Sequence, residues 1–179
     1  MRAMGATDEQ LKAQFSNSSL IRSTVEQALN CYPSEWITAS VKHRKIPLKK
    51  IPPGERGFYD GRQIKIEDKY HLDSAIHELG HRMENVNEEI FNAEKEFYNR
   101  RTAGEPLEKL SVLTGNSNYR ADERARKDKF LDAYVGKDYG GTGYELVSMG
   151  FQWAYTNPAF LLQDEDMAQW IYGLLAIGG

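Results

Sequence analysis

The chain has 179 residues, with 23 Lys and Arg against 26 Asp and Glu, giving a formal net charge of −3. That length suits one domain with a single core, and no apolar run approaches the ~20 residues that cross a bilayer, which argues against a membrane-spanning protein. Cys31 is the only cysteine, so an internal disulfide and a thiolate-built metal site are both excluded, and any metal must be held by histidines and carboxylates.

The N-terminus turns polar at once (Met1-Arg2-Ala3-Met4-Gly5-Ala6-Thr7-Asp8-Glu9-Gln10), so no secretory signal is read and a cytoplasmic protein is expected, or a virion-associated one where the resemblance given below holds. From Thr7 to Asn30 apolar residues recur at mostly helical spacing, and Ser16-Asn17-Ser18-Ser19 splits the stretch into two helices. Pro33, Pro47 and Pro52-Pro53-Gly54 punctuate the next segment, where short β runs are expected. The basic cluster Lys42, His43, Arg44, Lys45, Lys49 and Lys50 reads as a solvated loop or a guarded sheet edge, and no nucleic-acid partner is expected. Within Gly57–Ile66, Asp60-Gly61 supplies the two positive-φ positions of a type I′ turn, and Ile64 and Ile66 share one face beyond it, which predicts a β-hairpin.

After Asp68 the pattern is helical: Leu72 to Val86, Glu88 to Arg101, a short helix from Glu105 to Leu113, a long charged one from Tyr119 to Tyr134, then Tyr144 to Tyr155 and Asp164 to Ile177. The expected fold class is α+β, a small antiparallel sheet or hairpin followed by a helical body. One domain is expected, with residues 1–35 a helical arm, 36–68 a β region and 69–179 the helical body holding the active site.

The chemistry concentrates in Ser74-Ala75-Ile76-His77-Glu78-Leu79-Gly80-His81-Arg82-Met83-Glu84, which contains His-Glu-x-x-His inside a predicted helix. Residues four apart lie one turn apart on one face, so His77 and His81 can present imidazole nitrogens to one ion, and zinc suits that donor type. Glu78 follows the first ligand, where it can face a metal-bound water and act as general base. Gly80 lowers helix propensity by ~1 kcal/mol, a cost that close approach of another backbone would explain. His43 and His71 read as structural or solvated, so the third ligand is expected to be a carboxylate. Glu145 is the first choice, a lone acid opening the otherwise apolar Glu145-Leu146-Val147-Ser148-Met149-Gly150; the alternative is a glutamate satisfying a helix dipole. Glu84, on the same face as His77 and His81, reads first as an acceptor orienting an imidazole, then as an exposed charge or a direct ligand. Tyr139 and Tyr144, beside the glycine-rich Gly140-Gly141-Thr142-Gly143, either donate to an oxyanion or simply pack.

At these residues the sequence resembles the zincin metallopeptidases and, with a distant glutamate as third ligand, their gluzincin branch, which includes the lethal-factor-type peptidases. Arg56-Gly57-Phe58-Tyr59, the His77–Glu84 segment, Tyr134-Val135-Gly136-Lys137-Asp138-Tyr139 and Glu145–Gly150 together resemble uncharacterised peptidase domains of phage structural and minor head proteins, over about Arg56 to the C-terminus. The resemblance implies a zincin-like fold in which a hairpin or small sheet runs along a cleft floored by the motif helix, and a peptide or protein substrate adds as an edge strand. It implies zinc on His77, His81 and Glu145, with Glu78 as general base of a zinc metalloendopeptidase, and a domain of a larger phage or effector polypeptide. Arg82 departs from the uncharged residue usual after the second histidine. The alternatives are an assembly module that keeps the zincin fold with little or no hydrolysis, and an effector peptidase with one narrow target.

Overall fold

The computed structural model describes residues 3–17, 19–67 and 71–176; Ser18, Asp68 and Ile177 of the readings above lie outside the described residues. The N-terminal part forms three helices, α1 (Asp8–Gln14), α2 (Arg22–Leu29) and α3 (Ser34–His43). α1 opens with a reciprocal cap: the Thr7 hydroxyl accepts from Gln10 N at 3.2 Å, and Gln10 Oε1 accepts from Thr7 N at 2.8 Å. The third helix corrects the β region expected from residue 36. Pro33 does not interrupt structure here but stands just ahead of a helix, Glu35 occupies the first turn and Lys42 and His43 the last, and Trp36, Ile37 and Ser40 form its buried face.

A three-stranded sheet follows, from β1 (Leu48–Lys50), β2 (Phe58–Tyr59) and β3 (Ile64–Ile66) in the order β1-β3-β2. β2 and β3 are antiparallel, as the hairpin reading requires, but β1 runs parallel to β3, so the sheet is mixed. The type I′ turn is also corrected. Only Gly61 has positive φ (78°), and the connection spans residues 60–63, with Asp60 Oδ1 accepting from Arg62 N and Gln63 N at 2.9 Å each. Ile64 and Ile66 do share one face and are fully buried, while Lys65 between them points outward.

The second half holds α4 (Leu72–Val86), α5 (Glu88–Arg101), α6 (Leu110–Thr114), α7 (Leu146–Thr156), α8 (Pro158–Leu161) and α9 (Glu165–Ala176). The predicted charged helix over Tyr119–Tyr134 is absent: this stretch contributes β5 (Arg124–Ala125) to a second, antiparallel sheet with β4 (Glu108–Lys109) and β6 (Lys137–Asp138), and ends in a 3-10 turn from Ala133 to Gly136. A helix rich in charge but lacking an apolar stripe has nothing to bury, and Asp128 at φ 41° breaks the helical path. The short helix predicted from Glu105 begins only at Leu110, because Glu108 and Lys109 pair in β4.

α4 is the organising element. It packs against α7, α2, α3 and α5 and lies under β2 and β3. Ala75, Ile76, Leu79 and Met83 form its fully buried stripe, which meets one continuous core that also holds Tyr32, Trp36 and Phe151. Tyr32 stacks on Phe151 with ring centroids 4.9 Å apart, and its hydroxyl donates to the Ile76 carbonyl. This face is so well anchored that the opposite side of α4 can be given over to His77, Glu78 and His81.

Candidate metal centre

Two features bring a carboxylate onto the open face of α4. The first is a close crossing of α4 and α7 at Gly80: a Cβ there would lie 2.6 Å from Ser148 Cα, so only glycine lets the backbones meet at this distance. The second is the seating of the start of α7. Tyr144 N donates to Glu84 Oε1 at 3.0 Å and Val147 N to Glu94 Oε1 at 2.8 Å, so acids from α4 and α5 satisfy amide groups that a helix start leaves open. Glu145 sits between these two amides and is completely buried.

Glu145 Oε2 lies 3.1 Å from His77 Nε2 and 3.2 Å from His81 Nε2. The imidazole rings meet edge to face, 5.0 Å apart at an interplanar angle of 82°, and aim their Nε2 atoms at the same carboxylate oxygen. The three side chains could hold a metal ion, their ligand atoms all lying within 4.8 Å of one another. Each imidazole is oriented from behind: His77 Nδ1 lies 3.1 Å from Gln152 Oε1, and His81 Nδ1 3.5 Å from Glu84 Oε2. Glu84 thus stands behind His81 and also holds the Tyr144 amide just ahead of α7, in the orienting place given it first by the sequence.

The charges of the cluster act on one another. Burial would raise the Glu145 carboxyl, but His81 and His77 overrule it and hold its pKa well below the usual range. Burial would likewise lower the His81 pKa, and the Glu145 carboxylate raises it instead. Ser148 Oγ donates to Glu145 Oε2 at 2.9 Å and the Tyr139 hydroxyl to Oε1 at 2.6 Å. Behind Tyr139, the buried Lys137 donates from Nζ to Glu123 Oε1 at 2.7 Å and to the Tyr139 oxygen at 2.9 Å. Tyr139 as a residue is 43 % exposed, yet its hydroxyl points inward, where burial and the Glu145 charge push its pKa up and keep it a donor.

Glu78 lies next to this cluster, 5 % exposed, with its pKa raised by burial and lowered less strongly by the two histidines. The Tyr59 backbone N–H also lowers its pKa, and its Oε1 lies near Gly57, where a Cβ would come to 3.5 Å from it. The free edge of β2 therefore faces Glu78. A cavity opens on each side: one of about 480 Å³ beside His77, with Arg56, Gly57 and Tyr134 on its wall, and one of about 520 Å³ beside His81, with Tyr59, Gly61 and Tyr139.

Of the residues singled out in the sequence, His77, Glu78, His81, Glu84, Tyr139 and Glu145 come together. Tyr144 does not: its ring packs against Tyr98, 4.5 Å between centroids, and only its amide takes part by binding Glu84. His71 lies 3.8 Å from Glu67, and His43 lies beside Arg82, where burial and the Arg82 charge lower its pKa. Arg82 points away from the centre. It is fully buried, and its guanidinium donates to the Ser40 and Arg44 carbonyls at the end of α3, to Ser40 Oγ and to the Tyr59 hydroxyl. Gln152, Ser148, Lys137 and Arg56 were not picked out as site residues. Ser148 and Gln152 follow Glu145 by three and seven positions along α7, the spacing that would have placed them on one face with it.

No protein-family model matches the chain, and no curated protein and no solved structure is significantly similar to it. The fold and site define an α+β protein with a candidate metal centre of two histidines and a buried glutamate. Among the described residues, no helix is long and apolar enough to cross a membrane.

Proposed function

We propose that the chain is a zinc-dependent metallopeptidase, and the observation that carries this reading is the convergence of His77 and His81 Nε2 on one Glu145 oxygen. Their separations of 3.1 and 3.2 Å are close to the ~3.3 Å between donors that tetrahedral zinc with bonds of ~2.0–2.1 Å requires. The donor set of two imidazoles and one carboxylate suits zinc, leaves a position open, and comes with an acceptor behind each imidazole. When bound, zinc supplies Lewis acidity, lowering the pKa of a water and polarising a substrate carbonyl.

The protein's own groups do the rest. Glu78 takes the proton from the attacking water and carries it toward the leaving amine; its burial beside the cluster keeps bulk water from competing. Tyr139, held by Lys137, offers its hydroxyl to the developing oxyanion as the substrate draws it from Glu145. The peptide adds to the free edge of β2, with side chains reaching the two flanking cavities. The resemblance of the His77-Glu78-x-x-His81 motif with a distant glutamate to gluzincins supports the same assignment.

The test is Glu78→Gln with the zinc-loaded chain on a broad peptide library, read by mass spectrometry with and without chelator. Wild type should cut and lose activity with chelator, while Glu78→Gln should retain zinc and lose about 10²–10⁴-fold in rate. Equal turnover by the variant removes Glu78 from the mechanism.

A further inference from the structure

The two cavities beside the centre each hold two carboxylates and differ in whether an arginine joins them. On the His81 side the lining holds, among the described residues, the carboxylates Glu84 and Glu88 and no lysine or arginine, and the only histidine besides His81 is His43. On the His77 side the lining holds the carboxylates Glu78 and Asp132, and among the described residues Arg56 is its sole lysine or arginine, with its side chain 53 % exposed. Its guanidinium lies over the rings of Tyr134 and Tyr119, at 4.6 and 5.5 Å from their centroids, which fixes its plane.

Arg56 is incompletely neutralised. Its one carboxylate contact among the described residues is Glu123 Oε1 at 3.4 Å, and that oxygen already receives the buried Lys137 Nζ at 2.7 Å. A second bond goes to the Tyr134 hydroxyl. An arginine has five N–H groups in a planar fork, so donors remain for a ligand, and the fork matches a carboxylate. Asp132 shares this cavity, but its Oδ1 is turned to the backbone, accepting from Tyr134 N at 2.8 Å.

Chain direction decides which part of a substrate meets Arg56. β2 runs from the Gly57 end, beside His77, to the Tyr59 end, beside His81. A peptide pairing antiparallel with it, the more stable ladder, runs the opposite way, so residues after the scissile bond lie in the His77-side cavity. We infer that the cleft selects an acidic side chain within the first two residues after the scissile bond, and that Arg56 is the specificity-determining residue. This inference rests on the peptidase reading above.

The experiment digests a proteome-derived peptide library with the zinc-loaded chain, maps the cut sites, and then compares two quenched fluorescent peptides that differ only by Glu or Lys at the favoured position. The Glu peptide should have the higher kcat/KM by about tenfold, the scale of one charge-assisted pair in a partly desolvated cleft, and the ratio should shrink in high salt. Arg56→Gln should abolish the preference and Arg56→Glu should reverse it; using a ratio of two substrates cancels any general loss of activity. Cleavage without an acidic preference, a preference on the amino side of the bond, or an unchanged ratio in Arg56→Glu overturns this inference and leaves the peptidase reading standing. Absence of all metal-dependent cleavage overturns both.

Discussion

Gly80 of α4 and Ser148 of α7 are the closest point of a helix crossing that brings Glu145 between two histidines, with room for a hydrogen but not for a methyl group. Replacing Gly80 by alanine would favour helix α4 by ~1 kcal/mol in isolation. In the folded protein the added carbon meets backbone rather than a movable side-chain end, so α7 must shift. Gly80→Ala should destabilise by about 1–3 kcal/mol net and weaken zinc binding at least tenfold, by thermal melts and competition against a chromophoric chelator. Unchanged zinc affinity would show that the crossing distance does not set the ligand geometry.

The same crossing shows what the residues could disclose in advance. His77, Glu78 and His81 were legible because a four-residue spacing on a helix is a local property, and Gly80 announced a close contact by being a poor helix residue amid candidate ligands. Glu145 was legible as an acid without an obvious partner in an apolar helix. The second sheet was not: β4, β5 and β6 are two residues each, too short for an alternating pattern to emerge, and their register depends on contacts far apart in the chain. α3 was hidden by Pro33, which marks a helix start as readily as a break. Arg82 was read as a departure in the motif, because its partners at the end of α3 adjoin it only in the folded protein.

Gln152 offers a test of the outer layer of the centre. Its Oε1, 3.1 Å from His77 Nδ1, suits the tautomer with the proton on Nδ1, in which Nε2 could serve a metal ion. Gln152→Leu removes that acceptor while keeping the side chain's size. Zinc affinity should fall about 10–100-fold with little change in melting temperature of the metal-free protein. A loss confined to stability would mean that Gln152 serves packing alone.

Arg101 anchors the far side of the helical body. Its side chain is only 9 % exposed and lies 2.6 Å from Asp128 and 2.9 Å from Asp164. Asp164 also accepts from Met167 N at 3.0 Å, at the start of α9. Arg101→Ala strips a buried carboxylate of its cation, so a loss of about 3–5 kcal/mol is expected from urea unfolding, with an unchanged m-value. A loss below ~1 kcal/mol would mean that water already screens the cluster.

Cys31 reports on the alkaline limit of the fold. It is 9 % exposed, and burial pushes its thiol up from 9.0 to about 11. The folded state therefore keeps a proton that the unfolded chain sheds, so the contribution to stability is complete below pH 9 and is lost as pH rises to about 11. A shift of this size corresponds to about 3 kcal/mol. Cys31→Ala should flatten the fall in stability over that interval by this amount, and the native thiol should resist a neutral disulfide reagent at pH 8 until urea unfolds the chain. Rapid labelling of the native protein would mean that the thiol opens to solvent without unfolding, and the alkaline slope would then have to come from the buried tyrosines.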